Sequence, residues 1–363
     1  MAAPVRYWTT RHTPNCKAKC GGGGTRLRKL DVPMTESMRA ILVETLGGPE
    51  VLQVKQVPRP VAGPDETLIE VHRAGINFSD IWRRGVGWSR HPLPVIPGFE
   101  VVGRRVSDGV RVVGATARGA GGYADFAAMP NLLTLPVPDG VSDTAALATM
   151  IQGITAWGAL VEAGRIRQGE TVAVMAAAGG LGSLAVQLAR LHGASRVIAI
   201  ASSEEKRKLA IELGADVAVD SNAETLVDDI RKANGGEGVD ILLESIGGVI
   251  TDVAFGALRH GGRMVCFGQA SGASNTVSLD LLMDNSIGVI GYWVTPFQTS
   301  EGGEGRAAIA TMLDWIADGR LRVLEGASFP IAMAGAAQAA IESRRTFGKV
   351  SLAVDEESWR QLG

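Results

Sequence analysis

Residues Thr171 to Arg190, TVAVMAAAGGLGSLAVQLAR, constrain the fold more than any other stretch of this 363-residue chain. The apolar run from Thr171 to Ala177 has the length and composition of a buried strand. It breaks at Ala178-Gly179-Gly180-Leu181-Gly182, after which Leu184, Ala185 and Leu188 continue the apolar spacing of Leu181 along a helix. Strand, glycine turn and helix in this order present backbone N–H groups to a pyrophosphate at the helix N-terminus. Gly179 removes a Cβ that would hold phosphates off the backbone, and Gly182 lets the helix pack close to the strand. Ala177 stands where the usual G-x-G-x-x-G begins, so the pattern is A-x-G-x-x-G, and a tight turn without a ligand is the competing explanation.

A second apolar strand, Arg196 to Ala201, follows the helix. Dinucleotide folds place an acid near the end of this strand, ~20 residues past the motif, to accept from the adenine-ribose 2′-hydroxyl. Here Ala201 ends the strand and Ser202-Ser203-Glu204-Glu205-Lys206-Arg207 follows. Two hydroxyls that can donate to phosphate oxygens, and the compact charge of Lys206, point to NADPH. An N-cap at Ser202 or Ser203, with Glu204 and Glu205 at the positive end of a helix, explains the same residues, and both can hold at once. Asp220-Ser221 places an acid after the third strand.

The length suits two domains. A net charge of −2 offers no field to attract nucleic acid. No continuous apolar run reaches the ~18 residues of a membrane span. Three cysteines (Cys16, Cys20 and Cys266) make no disulfide framework and fit a reducing, cytoplasmic setting. Residues 1–37, with Gly21 to Gly24 and several Lys and Arg, lack apolar periodicity and read as a disordered leader, with Met34 or Met38 as an alternative start. His12, Cys16 and Cys20 have no fourth partner of metal-ligand spacing.

From Met38 onward, short strands at 39–43, 51–57, 66–71, 101–113 and 122–128 are punctuated by Pro and Gly, the texture of an antiparallel barrel-like domain. Ala145 to Val161 is alanine-rich and helical. Strands at 171–177, 196–201, 217–220, 240–245 and 263–267 then alternate with helices, and 287–293 offers a sixth strand. Such alternation implies an α/β fold with a doubly wound parallel sheet.

Several segments, in order, resemble the medium-chain dehydrogenase/reductase superfamily in its zinc-free quinone oxidoreductase branch: Ala74-Gly-Ile-Asn77-Phe-Ser-Asp80, Pro97-Gly98-Phe99-Glu100, Gly121-Gly122-Tyr123-Ala124, the glycine turn, Leu213-Gly-Ala-Asp216 and Ser343-Arg-Arg-Thr-Phe-Gly-Lys349. The resemblance implies a GroES-like β-rich catalytic domain over 38–156, completed by 296–363, and a Rossmann domain over 157–295. It places the active site in the cleft between them and implies a homodimer. Zinc-dependent relatives carry ligands where Asn77, Phe99 and Ile151 stand, so no metal is expected.

The resemblance also assigns the site. Ala178, Gly179, Gly180, Leu181 and Gly182 would hold the pyrophosphate, and Ser202, Ser203 and Lys206 the 2′-phosphate. Asn77, Thr155, Phe267 and Gly268 would meet the nicotinamide end. Each has a plain alternative: a turn asparagine, a helix-interior threonine, a core phenylalanine. Lys349 is the preferred cofactor contact of the basic group Arg344, Arg345 and Lys349. Trp82 and Trp88 stand where relatives offer a tyrosine; they would stack on a flat acceptor or simply pack. With Asn77 as the positioning residue, the expected activity is hydride transfer from NADPH to a small electron acceptor, a quinone or enone. Reduction of an enoyl thioester, whose carrier phosphate Arg83, Arg84 and Arg90 would meet, and NADPH binding with little catalysis are the alternatives.

Overall fold

The computed structural model describes residues 36–87, 92–116 and 120–360. The proposed leader falls almost wholly outside these, and Ser37 already belongs to the first strand.

Two large sheets and a two-stranded ribbon organise the described residues. The first uses strands from both ends of the chain. β1 (Ser37–Leu42) and β2 (Gln53–Pro58) form an antiparallel pair, and β3 (Glu66–Gly75), β4 (Glu100–Arg105), β5 (Arg111–Ala115), β6 (Phe126–Pro130) and β7 (Thr134–Pro136) build the main sheet. The second sheet is made of β8 (Thr171–Met175), β9 (Arg196–Ala201), β10 (Val217–Asp220), β11 (Val239–Glu244), β12 (Leu258–Cys266) and β13 (Gly288–Gly291), in the order β10-β9-β8-β11-β12-β13. Every pairing in it is parallel. This is the doubly wound order, with its switch point between β8 and β11. β14 (Glu325–Pro330) and β15 (Lys349–Ala353) return to the first sheet, giving β14-β15-β3-β4-β5-β7 with β6 also on β3.

The returning segment breaks the purely antiparallel pattern expected for the N-terminal half. β15 pairs antiparallel with β3, and β14 pairs parallel with β15. Sequence texture could not show this, because the partner of β3 lies almost at the other end of the chain.

The alanine-rich stretch folds as one 21-residue helix, Asp143–Ala163, with two π-helical segments. It is long and apolar enough to resemble a membrane span, yet 78% of its apolar window is buried inside the protein. Its first turns pack on β3, β4 and β15, and its later turns on the helix Gly180–Leu191. The helix passes through residue 156 unbroken, so the two sheets are joined by a packed element. Alanines 145, 146, 148, 156 and 159 are all buried, and their small volume permits the close approach.

The glycine turn shows a close approach of the same kind. A Cβ on Gly182 would lie 2.2 Å from the Ala176 carbonyl oxygen, so helix and strand come together only over a bare Cα. Gly182→Ala is expected to cost ~1–3 kcal/mol through overpacking, measured as a lower urea midpoint; an unchanged midpoint would show that the helix can shift without penalty.

Candidate active site

β8 ends at Met175, and Ala176 turns back with φ of +51°, a left-handed conformation rare for a residue with a Cβ. Ala177 and Ala178 are buried, and Gly179 caps the helix Gly180–Leu191 in extended conformation. Free helix N–H groups therefore cluster at the C-terminal edge of the parallel sheet, at its switch point. The Gln152 carboxamide lies against Gly180, close enough that a Cβ there would sit 2.4 Å from its Nε2, and its buried Oε1 has no partner among the described residues. Gln152 belongs to the π-segment Thr149–Gly153, and Thr155 lies three residues on, along the same face.

β9 ends at Ala201, and Ser203 caps the next helix by accepting from the Lys206 backbone N–H at 3.3 Å. The capping role of Ser203 is thus observed; Ser202 is exposed. The Lys206 ammonium donates to the Arg344 carbonyl at 2.8 Å and stands over the Phe347 ring. Partial burial lowers its pKa, so an anion bound here would gain by stabilising the charged form. Asp220 does not face this position unpaired: Arg207 donates to it at 2.5 Å and also to the Ala201 carbonyl at 3.1 Å. A depression of about 650 Å³ opens beside Phe347, lined also by Glu205, Leu209, Phe329, Ser343 and Arg345.

The C-terminal return runs past the glycine turn. Gly348 forms a parallel bridge with Gly179, its N–H donating to the Ala178 carbonyl at 3.3 Å. β15 starts at the next residue, and here the structure corrects the expectation for Lys349. Its side chain is fully buried, and Nζ donates to Glu100, to Asn77 Oδ1 at 3.1 Å and to the Ile76 carbonyl at 3.2 Å. An ammonium inside the domain needs such partners, and this one is committed to them instead of to a cofactor.

Asn77 caps the helix Phe78–Val86 and is 5% exposed. Its Nδ2 donates to Glu100 Oε1 at 3.0 Å, and its backbone N–H donates to Asp80 Oδ2 at 2.9 Å. Burial is the main reason the Asp80 carboxyl is pushed up to about 7, and the nearby Glu100 adds to it. One oxygen each of Asp80 and Glu100 has no partner among the described residues. Gly75 makes room for the cluster, since a Cβ there would strike the Glu100 carboxylate.

Phe267 and Gly268 follow β12, and the Phe267 N–H donates to the Glu244 carbonyl at 3.0 Å. Gly268 lies so close to the Ser245 carbonyl that a Cβ would be 2.8 Å from it. Trp82 projects from the helix Phe78–Val86 with 55% of its surface exposed. Trp88 and Arg90 lie outside the described residues. Phe99 lies under the Arg83 guanidinium, 4.8 Å from ring centroid to carbon. Arg84 is buried, donating to Gln338 at 2.7 Å and Glu342 at 2.8 Å, so it is not free to line an entrance for a carrier phosphate.

Comparison with known proteins places this geometry. Residues 63–139 match the alcohol dehydrogenase GroES-like domain, and residues 180–318 match the domain described as zinc-binding dehydrogenase. A probable quinone oxidoreductase of Schizosaccharomyces pombe is 35% identical over 334 residues, covering 87% of this chain and 97% of its own. The chain belongs to the medium-chain dehydrogenase/reductase superfamily, in its quinone oxidoreductase-like branch. Among solved members, the Thermus thermophilus quinone oxidoreductase, also solved with NADPH, is 37% identical with a TM-score of 0.76, over 87% of this chain and all of that one. The Escherichia coli quinone oxidoreductase in complex with NADPH is 26% identical with a TM-score of 0.78, over 88% and 99%.

For a member of this superfamily, zinc is the implied metal, and the residues do not fit it. Asn77, Phe99 and Ile151 occupy the positions identified above, and among the described residues no three His, Cys, Asp or Glu side chains group to hold a metal. The dinucleotide does fit: bare glycines at Gly179 and Gly180, helix N–H groups and Lys206 surround one edge of the sheet. Three further residues went unassigned in the sequence. Glu100 was visible in its motif, but no local pattern pairs it with Lys349 249 residues away. The same holds for Gln152 on its π-turn and for Arg207 beside Asp220.

The raised Asp80 pKa has a pH consequence. The folded state holds a proton that the unfolded state, titrating near 3.9, has lost. Stability therefore declines as pH rises from about 4 to about 7, by at most ~1.4 kcal/mol per unit, and levels off above. Urea midpoints of wild type and Asp80→Asn, which keeps an acceptor for the Asn77 N–H, are expected to converge at pH 4 and diverge in the variant's favour by pH 8. A constant difference across that range would contradict this protonation state.

Proposed function

We propose that the protein transfers hydride from NADPH to a quinone or an activated enone without a catalytic zinc. Two features support this reading: the uncapped helix N-terminus at the glycine turn with Lys206 at the next strand end, and Asn77, Phe99 and Ile151 at the positions where the resemblance puts zinc ligands. The protein is an NADPH-dependent oxidoreductase by its family, whose Thermus and Escherichia coli members were solved with that coenzyme. Acceptors that need no Lewis acid suit such a cleft, because a quinone becomes aromatic on reduction.

When bound, NADPH supplies a hydride from its nicotinamide ring. Its pyrophosphate would lie along the turn from Ala178 to Gly182, where the Gly179 N–H is already given to the Ala176 carbonyl at 2.8 Å, and its 2′-phosphate beside Ser202, Ser203 and Lys206. Thr155, Phe267 and Gly268 would flank the nicotinamide end, and Asn77 would direct a polar group at the acceptor. The acceptor gains two electrons and two protons: one proton arrives with the hydride and the other from solvent. The chain's part is orientation and water exclusion, and the exposed indole of Trp82 offers a flat acceptor a stacking surface.

We further propose that two copies pair through β13, one of the two edge strands of the parallel sheet among the described residues. Leu279, Met283 and Trp293, which flank it, are largely exposed.

Two measurements test these statements. Purified protein is expected to consume NADPH when given simple quinones, and Lys206→Ala to raise the KM for NADPH ~10- to 150-fold with little change for NADH, the loss of one charge-assisted hydrogen bond of ~1.5–3 kcal/mol. No turnover across quinones and enones would overturn the acceptor reading; equal effects on both coenzymes would remove Lys206 from the phosphate site. Sedimentation is expected to give twice the 38.0 kDa chain mass, falling to one chain in Ile290→Lys; a wild-type monomer would remove the edge-pairing proposal.

A further inference from the structure

The buried contacts of Asn77 decide more than its position. A carboxamide can be turned end for end, so an asparagine in a cleft can in principle present either an acceptor or a donor. Here the two ends face opposite charges. The Lys349 ammonium, which can only donate, lies 3.1 Å from Oδ1, and the Glu100 carboxylate lies 3.0 Å from Nδ2. Reversal would set a carbonyl oxygen against a carboxylate and an N–H against an ammonium, both inside the domain where such contacts are poorly screened. Oδ1 is thereby occupied, and one of the two Nδ2 hydrogens is used by Glu100. The second Nδ2 hydrogen has no acceptor among the described residues.

The same lysine is tied to the coenzyme side. Its chain neighbour Gly348 bridges Gly179 in the glycine turn, and the following residue, Val350, accepts from the Ile76 N–H at 3.1 Å, next to Asn77. Residues 348–350 therefore run as a short strap from the phosphate-binding turn to the Asn77 carboxamide.

We propose that Lys349 and Glu100 are positioning residues that lock Asn77 as a hydrogen-bond donor, held in register with the glycine turn, and that its free N–H is aimed at the acceptor oxygen on which negative charge develops. This rests on the reading that Asn77 faces the reacting ligand. A donor at that point acts in the transition state, so its loss lowers kcat and leaves coenzyme binding largely intact.

The test uses the full-length protein with NADPH and a simple benzoquinone, with coenzyme affinity read separately by quenching of intrinsic fluorescence. Asn77→Leu is expected to lower kcat ~100-fold or more, the scale seen for loss of an oxyanion donor, and to change NADPH affinity less than threefold. Asn77→Asp, which keeps the shape and an acceptor but has no N–H, is expected to be as impaired as Asn77→Leu. The double variant Lys349→Met/Glu100→Gln, which leaves no unpaired buried charge, is expected to lose at least tenfold in kcat, and adding Asn77→Leu to it to cost less than threefold more. Lys349→Arg, which keeps the cation, is expected to retain more activity than the double variant. Wild-type kcat in the double variant, or substantial activity in Asn77→Asp, would overturn the proposal. Should the double variant not fold, the comparison of Asn77→Asp with Asn77→Leu decides, since both leave the ion pair in place. Wild-type protein that binds NADPH but reduces no quinone would instead remove the underlying reading of the cleft, and the donor assignment with it.

Discussion

An ammonium group with no access to water holds the catalytic half of this protein together. Lys349, which opens β15, is placed among Glu100 at the start of β4 and, just beyond the end of β3, the Ile76 carbonyl and the Asn77 side chain. Desolvating a cation and a carboxylate is expensive, and only close pairing with further hydrogen bonds offsets it. The consequence is specificity of assembly. β15 sits beside β3 in one register, Ser351 opposite Gly75, because any slip would strand a charge. Gly75 completes the arrangement by leaving the carboxylate room that no other residue would.

The second half rests on contact distance instead of charge. The glycine turn works because backbone can approach backbone at Gly182 and because Gly180 leaves room for the Gln152 carboxamide against the helix N-terminus. Around it the chain uses small residues where elements cross. The two halves meet at the Gly179–Gly348 bridge, which joins the phosphate edge to the strand carrying the buried lysine.

Much of this was legible beforehand, for a physical reason. Strand-turn-helix repeats are written in local periodicity, so the six parallel strands and the glycine turn could be read from order and spacing alone. The cap at Ser203 could be read because its position is fixed relative to one strand end. Lys349 was misassigned for the complementary reason. A lysine in a basic run beside a glycine resembles a surface phosphate contact until its partner is known, and its partner is a glutamate 249 residues earlier. Gln152 and Arg207 were missed on the same ground. Asp220 looked like an acid near the 2′-phosphate, but its ion pair with Arg207 runs from β10 to the helix Glu204–Glu212 and leaves no trace in local pattern.

The late position of β15 in the chain has a further consequence for how the protein is made. During synthesis the parallel sheet is complete once β13 has emerged, and it can close around its own core. The Asn77 pocket cannot: until residue 349 leaves the ribosome, Glu100 has no counter-charge and the end of β3, Arg73 to Gly75, lacks the neighbour that β6 gives only to Glu66 to Glu70. A nascent chain therefore carries a finished nucleotide half and an unfinished catalytic half, and the two become one enzyme only when its last strand arrives.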